Sequence, residues 1–272
     1  IIGKHAFKFC AIENFLIPSH LTKICEGAFS ACQKLKFIEL PDEPKLQTIE
    51  NEAFTSSAIE TISIPSSCVE LMDNWCDSLR FVTKIFVSPD NPRYSLYNNE
   101  KFIIGKSYLE KENFDVLVFC VKNVKTVTIP NFIEIIGCQA FSYCTSLYQI
   151  KIPNDTKLRI IENSALSCCC LESFSIPSSL IKIGKYAFDS YKPLKKIEIL
   201  TDSKLQIIDD YGFATTDIDS ISIPPNVMEI GTGAFGSCQF LQIIELAENS
   251  KMKSFNNNVF EEFFQTIVMI PS

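Results

Sequence analysis

Val227-Met228-Glu229-Ile230-Gly231-Thr232-Gly233-Ala234-Phe235-Gly236-Ser237-Cys238-Gln239-Phe240-Leu241 decides the fold, because the chain writes the same phrase many times over. Ile230 opens it, Ala234-Phe235 follow, then Cys238 and Leu241. The stretch from Ile136 keeps every offset with Ala140-Phe141, Cys144 and Leu147, and runs on to Ile150 and Ile152-Pro153. So does the stretch from Ile24, with Ala28-Phe29, Cys32, Leu35, Ile38 and Leu40-Pro41. Further copies are anchored at Ile2, Ile49, Leu71, Ile161, Ile183, Ile208 and Phe255. The gaps between anchors alternate between 22 and 25 residues from Ile2 to Leu71 and again from Ile136 to Phe255, with a break of 65 residues between the two runs, so the true period is a pair of units totalling 47. Self-similarity at such a period is the signature of stacked repeats, in which no single unit can bury its own apolar face.

Each unit has two chemical halves. Leu171-Glu172-Ser173-Phe174-Ser175-Ile176-Pro177 alternates polar and apolar residues and reads as a short strand closed by a proline that cannot donate to a ladder. The other half, as in Ile183-Gly184-Lys185-Tyr186-Ala187-Phe188, spaces its apolar residues four and five apart. That suits a short helical turn or a tight arc. Phe7, Phe29, Phe54, Phe141, Phe188, Phe213, Phe235 and Phe260 share one offset, with Cys76 and Leu166 as departures, and are expected to form an internal aromatic spine.

Composition narrows the function. The 272 residues are 46% apolar and 21% charged, enough for a packed core. A net charge of −7 argues against nucleic acid, which requires a concentrated basic face. Only His5 and His20 supply imidazole, so most hydrolase and zinc-site schemes lack their parts, and no catalytic residue, metal site or cofactor is expected. Of the twelve cysteines, Cys10, Cys32, Cys144, Cys169 and Cys238 share the offset eight residues after the anchor. They read either as disulfides between adjacent units or as small buried thiols beside the spine, and the second reading is preferred because Ser57, Leu79, Tyr191 and Thr216 fill the same offset elsewhere. The acidic loops ending in Lys45, Lys157, Lys204 and Lys251 carry too few carboxylates for calcium. Asn154-Asp155-Thr156 is a glycosylation sequon.

The phrase Ile-x-Ile-Pro-x-x-(Leu/Val)-x-x-Ile-Gly-x-x-Ala-Phe-x-x-Cys-x-x-Leu resembles the BspA-like, Treponema-type class of leucine-rich repeat over nearly the whole chain. The resemblance implies an α/β fold: a curved right-handed solenoid with a parallel β-sheet on the concave face and short helices or turns on the convex face. It also implies surface-exposed proteins associated with adhesion and host contact, and it brings no catalytic residues. Residues 1–272 are expected to be a single repeat domain with an irregular unit at about 88–123, where a turn at Ser88–Tyr94 precedes a hairpin through Tyr97–Phe102. The chain starts inside a repeat and ends just after Ile270-Pro271, so it reads as a fragment of a longer protein without a targeting signal of its own.

In a strand, the residues between inward-facing isoleucines point the other way. The expected binding candidates on the concave face are therefore Leu16, Phe37, Glu39, Thr61, Ser63, Lys84, Phe86, Thr128, Gln149, Lys151, Ser173, Ser175, Lys196, Glu198, Ser222 and Glu245. Leu16, Phe37 and Phe86 would be apolar side chains facing outward, which suits recognition of a protein. The expected function is a non-catalytic binding and adhesion module, a cell-surface antigen whose partner is a host or extracellular-matrix protein or a glycan, with no membrane segment in this chain. An intracellular interaction scaffold of the same fold is the alternative.

Overall fold

A computed structural model describes residues 1–189, 194–252 and 258–259, and the backbone of 267–269. The chain divides into two compact units, Ile1–Asn123 and Val124–Ser272. The first holds β1 (Asn14–Leu16), β2 (Lys23–Ile24), β3 (Phe37–Glu39), β4 (Thr48–Ile49), β5 (Thr61–Ile64), β6 (Glu70–Leu71), β7 (Lys84–Val87), β8 (Tyr94–Tyr97), β9 (Phe102–Gly105) and β10 (Val116–Cys120). The second holds β11 (Thr126–Thr128), β12 (Ile135–Ile136), β13 (Gln149–Lys151), β14 (Ile160–Ile161), β15 (Ser173–Ile176), β16 (Lys182–Ile183), β17 (Lys196–Ile199), β18 (Ile207–Ile208), β19 (Ser220–Ile223), β20 (Glu229–Ile230), β21 (Ile243–Leu246) and β22 (Ile267–Met269).

Each unit is a β-solenoid in which every full coil carries one longer strand and one two-residue strand. The longer strands pair in parallel as β1–β3, β5–β7, β11–β13, β15–β17 and β19–β21–β22. The two-residue strands, which begin at the position before each anchor, form a second parallel ladder: β2–β4–β6 in the first unit and β12–β14–β16–β18–β20 in the second. In both ladders the isoleucine turns inward and its neighbour faces out.

The short helices expected on the arc are a correction: among the described residues there is none. The arc is a run of turns with a left-handed residue three and seven positions after the anchor. Examples are Gly27 and Ala31, Glu52 and Ser56, Tyr211 and Thr215, Gly233 and Ser237, all with φ between 54° and 60°. Backbone donors then alternate. Gly27, Phe29 and Ala31 give their N–H groups to Asn51, Ala53 and Thr55 of the next coil at 2.7–3.1 Å, while Ala28, Ser30 and Cys32 bond to the carbonyl three residues back. Tyr211, Phe213 and Thr215 repeat the pattern toward Thr232, Ala234 and Gly236. An α-helix needs every N–H turned back four residues along its own chain, so hydrogen bonding to the neighbouring coil excludes it.

The aromatic spine is present within each unit. Phe29, Phe54, Phe141, Phe188, Phe213 and Phe235 are buried, as are the departures Cys76 and Leu166, and Phe7 in the first coil is half-buried. Phe7 stacks on Phe29 at 5.2 Å between ring centroids, Phe188 on Phe213 at 5.2 Å and Phe213 on Phe235 at 5.9 Å. The expected ring at Phe260, the anchor at Phe255 and the closing Ile270-Pro271 lie outside the described residues.

Residues 88–123 depart from the coil pattern. β8, β9 and β10 are antiparallel, with Tyr97 opposite Phe102 across the hairpin turn. The preceding turn covers the end of the β2–β4–β6 ladder. The buried Asn91 amide donates to the Pro65 and Cys68 carbonyls at 2.6 and 2.8 Å, Arg93 reaches the Val69 carbonyl at 2.8 Å, and the Tyr94 hydroxyl accepts the Leu71 N–H at 3.1 Å. Backbone groups that a further coil would satisfy are thus met by side chains.

Two substitutions probe the packing. Phe213→Ala removes a fully buried ring between two others and should cost about 3–5 kcal/mol in denaturant unfolding. Gly231 sits where a Cβ would lie 2.4 Å from the Asp210 backbone nitrogen and 2.7 Å from the Asp209 carbonyl carbon of the coil before it. Gly231→Ala should therefore cost about 1–3 kcal/mol by the same measurement, because rigid backbone has to move.

Candidate binding face

The long-strand face brings the candidate residues together in rungs, within each unit separately. In the first unit Leu16 lies beside Glu39, Phe37 beside Asn14, Thr61 beside Lys84 and Ser63 beside Phe86. Leu16 is 61% exposed, Phe86 51% and Phe37 36%, while Thr61 and Ser63 are half-buried between them. The partners behind them are inward: Phe15 packs at 5.0 Å from both Phe7 and Phe29.

In the second unit Thr128 pairs with Lys151, Gln149 with Thr126, Ser173 with Lys196, Ser175 with Glu198, and Ser222 with Glu245. Short hydroxyl rungs alternate with long polar ones, and hydrogen bonds connect them. Ser175 donates to Glu198 at 2.9 Å and Ser222 to Glu245 at 2.9 Å. Lys196 sits 2.5 Å from Glu198, so the lysine ammonium first and the Ser175 hydroxyl second hold the Glu198 carboxyl below its ordinary pKa. An exposed pair of this kind adds little to stability. Its effect is to spend the Glu198 charge locally.

The alternation carves a trough of about 720 Å³. β13 and β15 do not pair, so the sheet is open between them. Ser173 and Ser175 are the low floor, Gln149 and Lys151 rise on one side, and Glu198 rises on the other. Five of the expected candidates thus meet in one place. Tyr148, Asn154, Glu172 and Leu200 also line it and were missed as a group, because reading only the positions between isoleucines overlooks residues just before and just after a strand. The sequon at Asn154 was the one signal among them.

Seven of the twelve cysteines are buried, Cys10, Cys25, Cys138, Cys168 and Cys170 are half-buried, and none forms a disulfide. Cys32, Cys169 and Cys238 are buried and donate to the carbonyls of Phe7, Phe141 and Phe213 in the preceding coil, at 2.9, 3.1 and 3.1 Å. Burial raises the thiol pKa of Cys32 and Cys238 and pushes that of Cys68 up to about 12. These are protonated, unreactive thiols. Among the described residues no cluster of three or more His, Cys, Asp or Glu is placed to hold a metal ion, and no helix is long and apolar enough to cross a membrane.

The sequence matches the family model described as the BspA type leucine rich repeat region, in six copies over residues 1–98, 112–242 and 206–272. Among solved structures it is similar to the pneumococcal vaccine antigen PcpA, at 19% identity and a TM-score of 0.62 over 90% of this chain. It is similar also to a leucine rich cell surface protein of Faecalibacterium prausnitzii, at 22% identity and 0.65 over 95%. A leucine-rich repeat protein of Eubacterium ventriosum is similar at 20% identity and 0.55 over 94%. The chain spans 53%, 68% and 82% of the lengths of those three. Nothing matches among curated proteins.

The Cys68 thiol makes a pH prediction. A proton held more tightly in the folded chain stabilises the fold below the ordinary thiol pKa of 9.0, and that contribution is lost as pH rises toward about 12. Between those two values Cys68→Ala should lose less stability than the parent chain, as read from denaturant unfolding at a series of alkaline pH values.

Proposed function

Because the chain belongs to the BspA-type leucine-rich repeat family, we propose that it is a non-catalytic binding module that presents its long-strand face to a protein partner at a cell surface. The observation that carries this reading is the group Leu16, Phe37 and Phe86, exposed on a strand face between Glu39, Thr61, Ser63 and Lys84. Apolar anchors surrounded by polar side chains are how protein interfaces concentrate their binding energy. The chain's regular stacking also suits the role, since repeat arrays offer broad surfaces rather than enclosed pockets. A surface location draws support from relatives described as a vaccine antigen and a cell surface protein. The partner proposed is a host or extracellular-matrix protein. One observation favours a second reading, an intracellular interaction scaffold: none of the twelve cysteines is joined in a disulfide, as in a reducing compartment.

The double variant Phe37→Ser, Phe86→Ser should lower binding to purified matrix proteins and to host cells by at least about tenfold in surface plasmon resonance and cell-binding assays, or ~1.4 kcal/mol. Its thermal unfolding should stay close to that of the parent, because both side chains already face water. Unchanged binding would remove the first unit's strand face from the interface. Labelling of intact source cells with an impermeant reagent separates the two locations.

A further inference from the structure

We propose that the trough in the second unit is a binding site for a short neutral oligosaccharide. This rests on the reading that the long-strand face is the working surface, and it adds a ligand class distinct from the protein partner assigned to the first unit. Among the described residues the side chains of Gln149, Lys151, Ser173 and Asn154 make no hydrogen bond or ion pair, yet all line one open groove. The Glu172 carboxylate is in the same position. Together they present amide donors and acceptors, a hydroxyl, an ammonium and a carboxylate. That mixture matches a ligand in which each carbon carries a group that both donates and accepts.

Ser173 and Ser175 give the floor its hydroxyls, and Ile152, Pro153, Ile176 and Pro177 also line the trough, so polar groups and apolar surface alternate along it as they do on a sugar ring. Further apolar surface stands at the margins. Tyr148, just before β13, is 55% exposed, and Leu200, just after β17, is 57% exposed. With the strands parallel these stand toward opposite ends of the trough, where sugar C–H faces can pack on them. The charge balance selects a neutral ligand. Lys151 and Glu172 balance in number, and Glu198 is already paired with Lys196 and Ser175, so no surplus of positive charge lines the trough to hold a sulfated or uronic chain.

The test uses the whole chain in isothermal titration and saturation-transfer NMR against chitotriose, mannotriose, maltotriose and lacto-N-tetraose, with a heparin tetrasaccharide and an extended polar peptide as controls. At least one neutral oligosaccharide should bind at millimolar concentration or below, and the heparin fragment and the peptide should not. Ser173→Trp, which fills the exposed floor, and Tyr148→Ala should each weaken that binding by at least about tenfold with an unchanged thermal midpoint. The Phe37→Ser, Phe86→Ser variant should bind the sugar as the parent does. Failure of all four neutral sugars, binding indifferent to Ser173→Trp, or preference for heparin or the peptide would overturn the proposal. Protein capture lost only in the Phe37→Ser, Phe86→Ser variant would leave the protein-binding role standing whatever the sugars do.

Discussion

Hydrogen bonding between successive coils of the main chain is the constraint on which the rest depends. Alternate N–H groups on the arc cross to the neighbouring coil, as Phe29 does to Ala53 and Phe213 to Ala234. That is possible only if the chain turns through a left-handed residue at two fixed positions in each coil. Most of those residues are not glycine, and each non-glycine costs roughly 1–2 kcal/mol in that conformation. The cost is met by bonds that extend along the stack, so a coil is stable beside its neighbours and not alone. The Tyr94 hydroxyl and Asn91 amide at the end of the β2–β4–β6 ladder follow from the same requirement, since the last coil of a ladder has no successor to satisfy it.

The identities of the repeated residues follow from that geometry. Once coils are tied by backbone bonds, equivalent side chains fall above one another, and a column of phenylalanines stacks ring on ring at 5.2–5.9 Å. Beside it there is room for something small, and cysteine fits because its thiol can also donate to a carbonyl of the preceding coil. Thr216, at the same offset, donates within its own coil to the Phe213 carbonyl at 2.8 Å. This explains why the position tolerates exchange between sulfur and oxygen, and why the thiols serve packing rather than chemistry.

The outer surface obeys looser rules. Its alternation of short and long rungs comes from the paired 22 and 25 residue units, and it breaks the long-strand ladder into pairs such as β11–β13 and β15–β17. Where the ladder is broken beside a serine rung, the trough opens. Core and surface are therefore specified by one repeat, but only the core is under tight steric demand. Binding properties can differ between the apolar rungs of the first unit and the hydroxyl rungs of the second without altering the fold.

The repeat, the strand half of each coil, the outward positions and the aromatic column were all legible in the residues, because each rests on a side-chain period that stacking must preserve. The hairpin through Tyr97 and Phe102 was legible for a similar reason, from local turn chemistry. The arc was not. Its left-handed positions carry Glu52, Tyr211 and Thr215 as readily as glycine, so no residue type marks them, and the glycine that does recur, Gly231, is there for the close approach of the Asp210 backbone. Tyr148, Glu172 and Leu200 escaped notice because only the stacking of three coils sets them around one trough. A period along the chain dictates which side chains are stacked. Which of them share a cavity depends on the spacing between coils, and that is settled only when the coils are in contact.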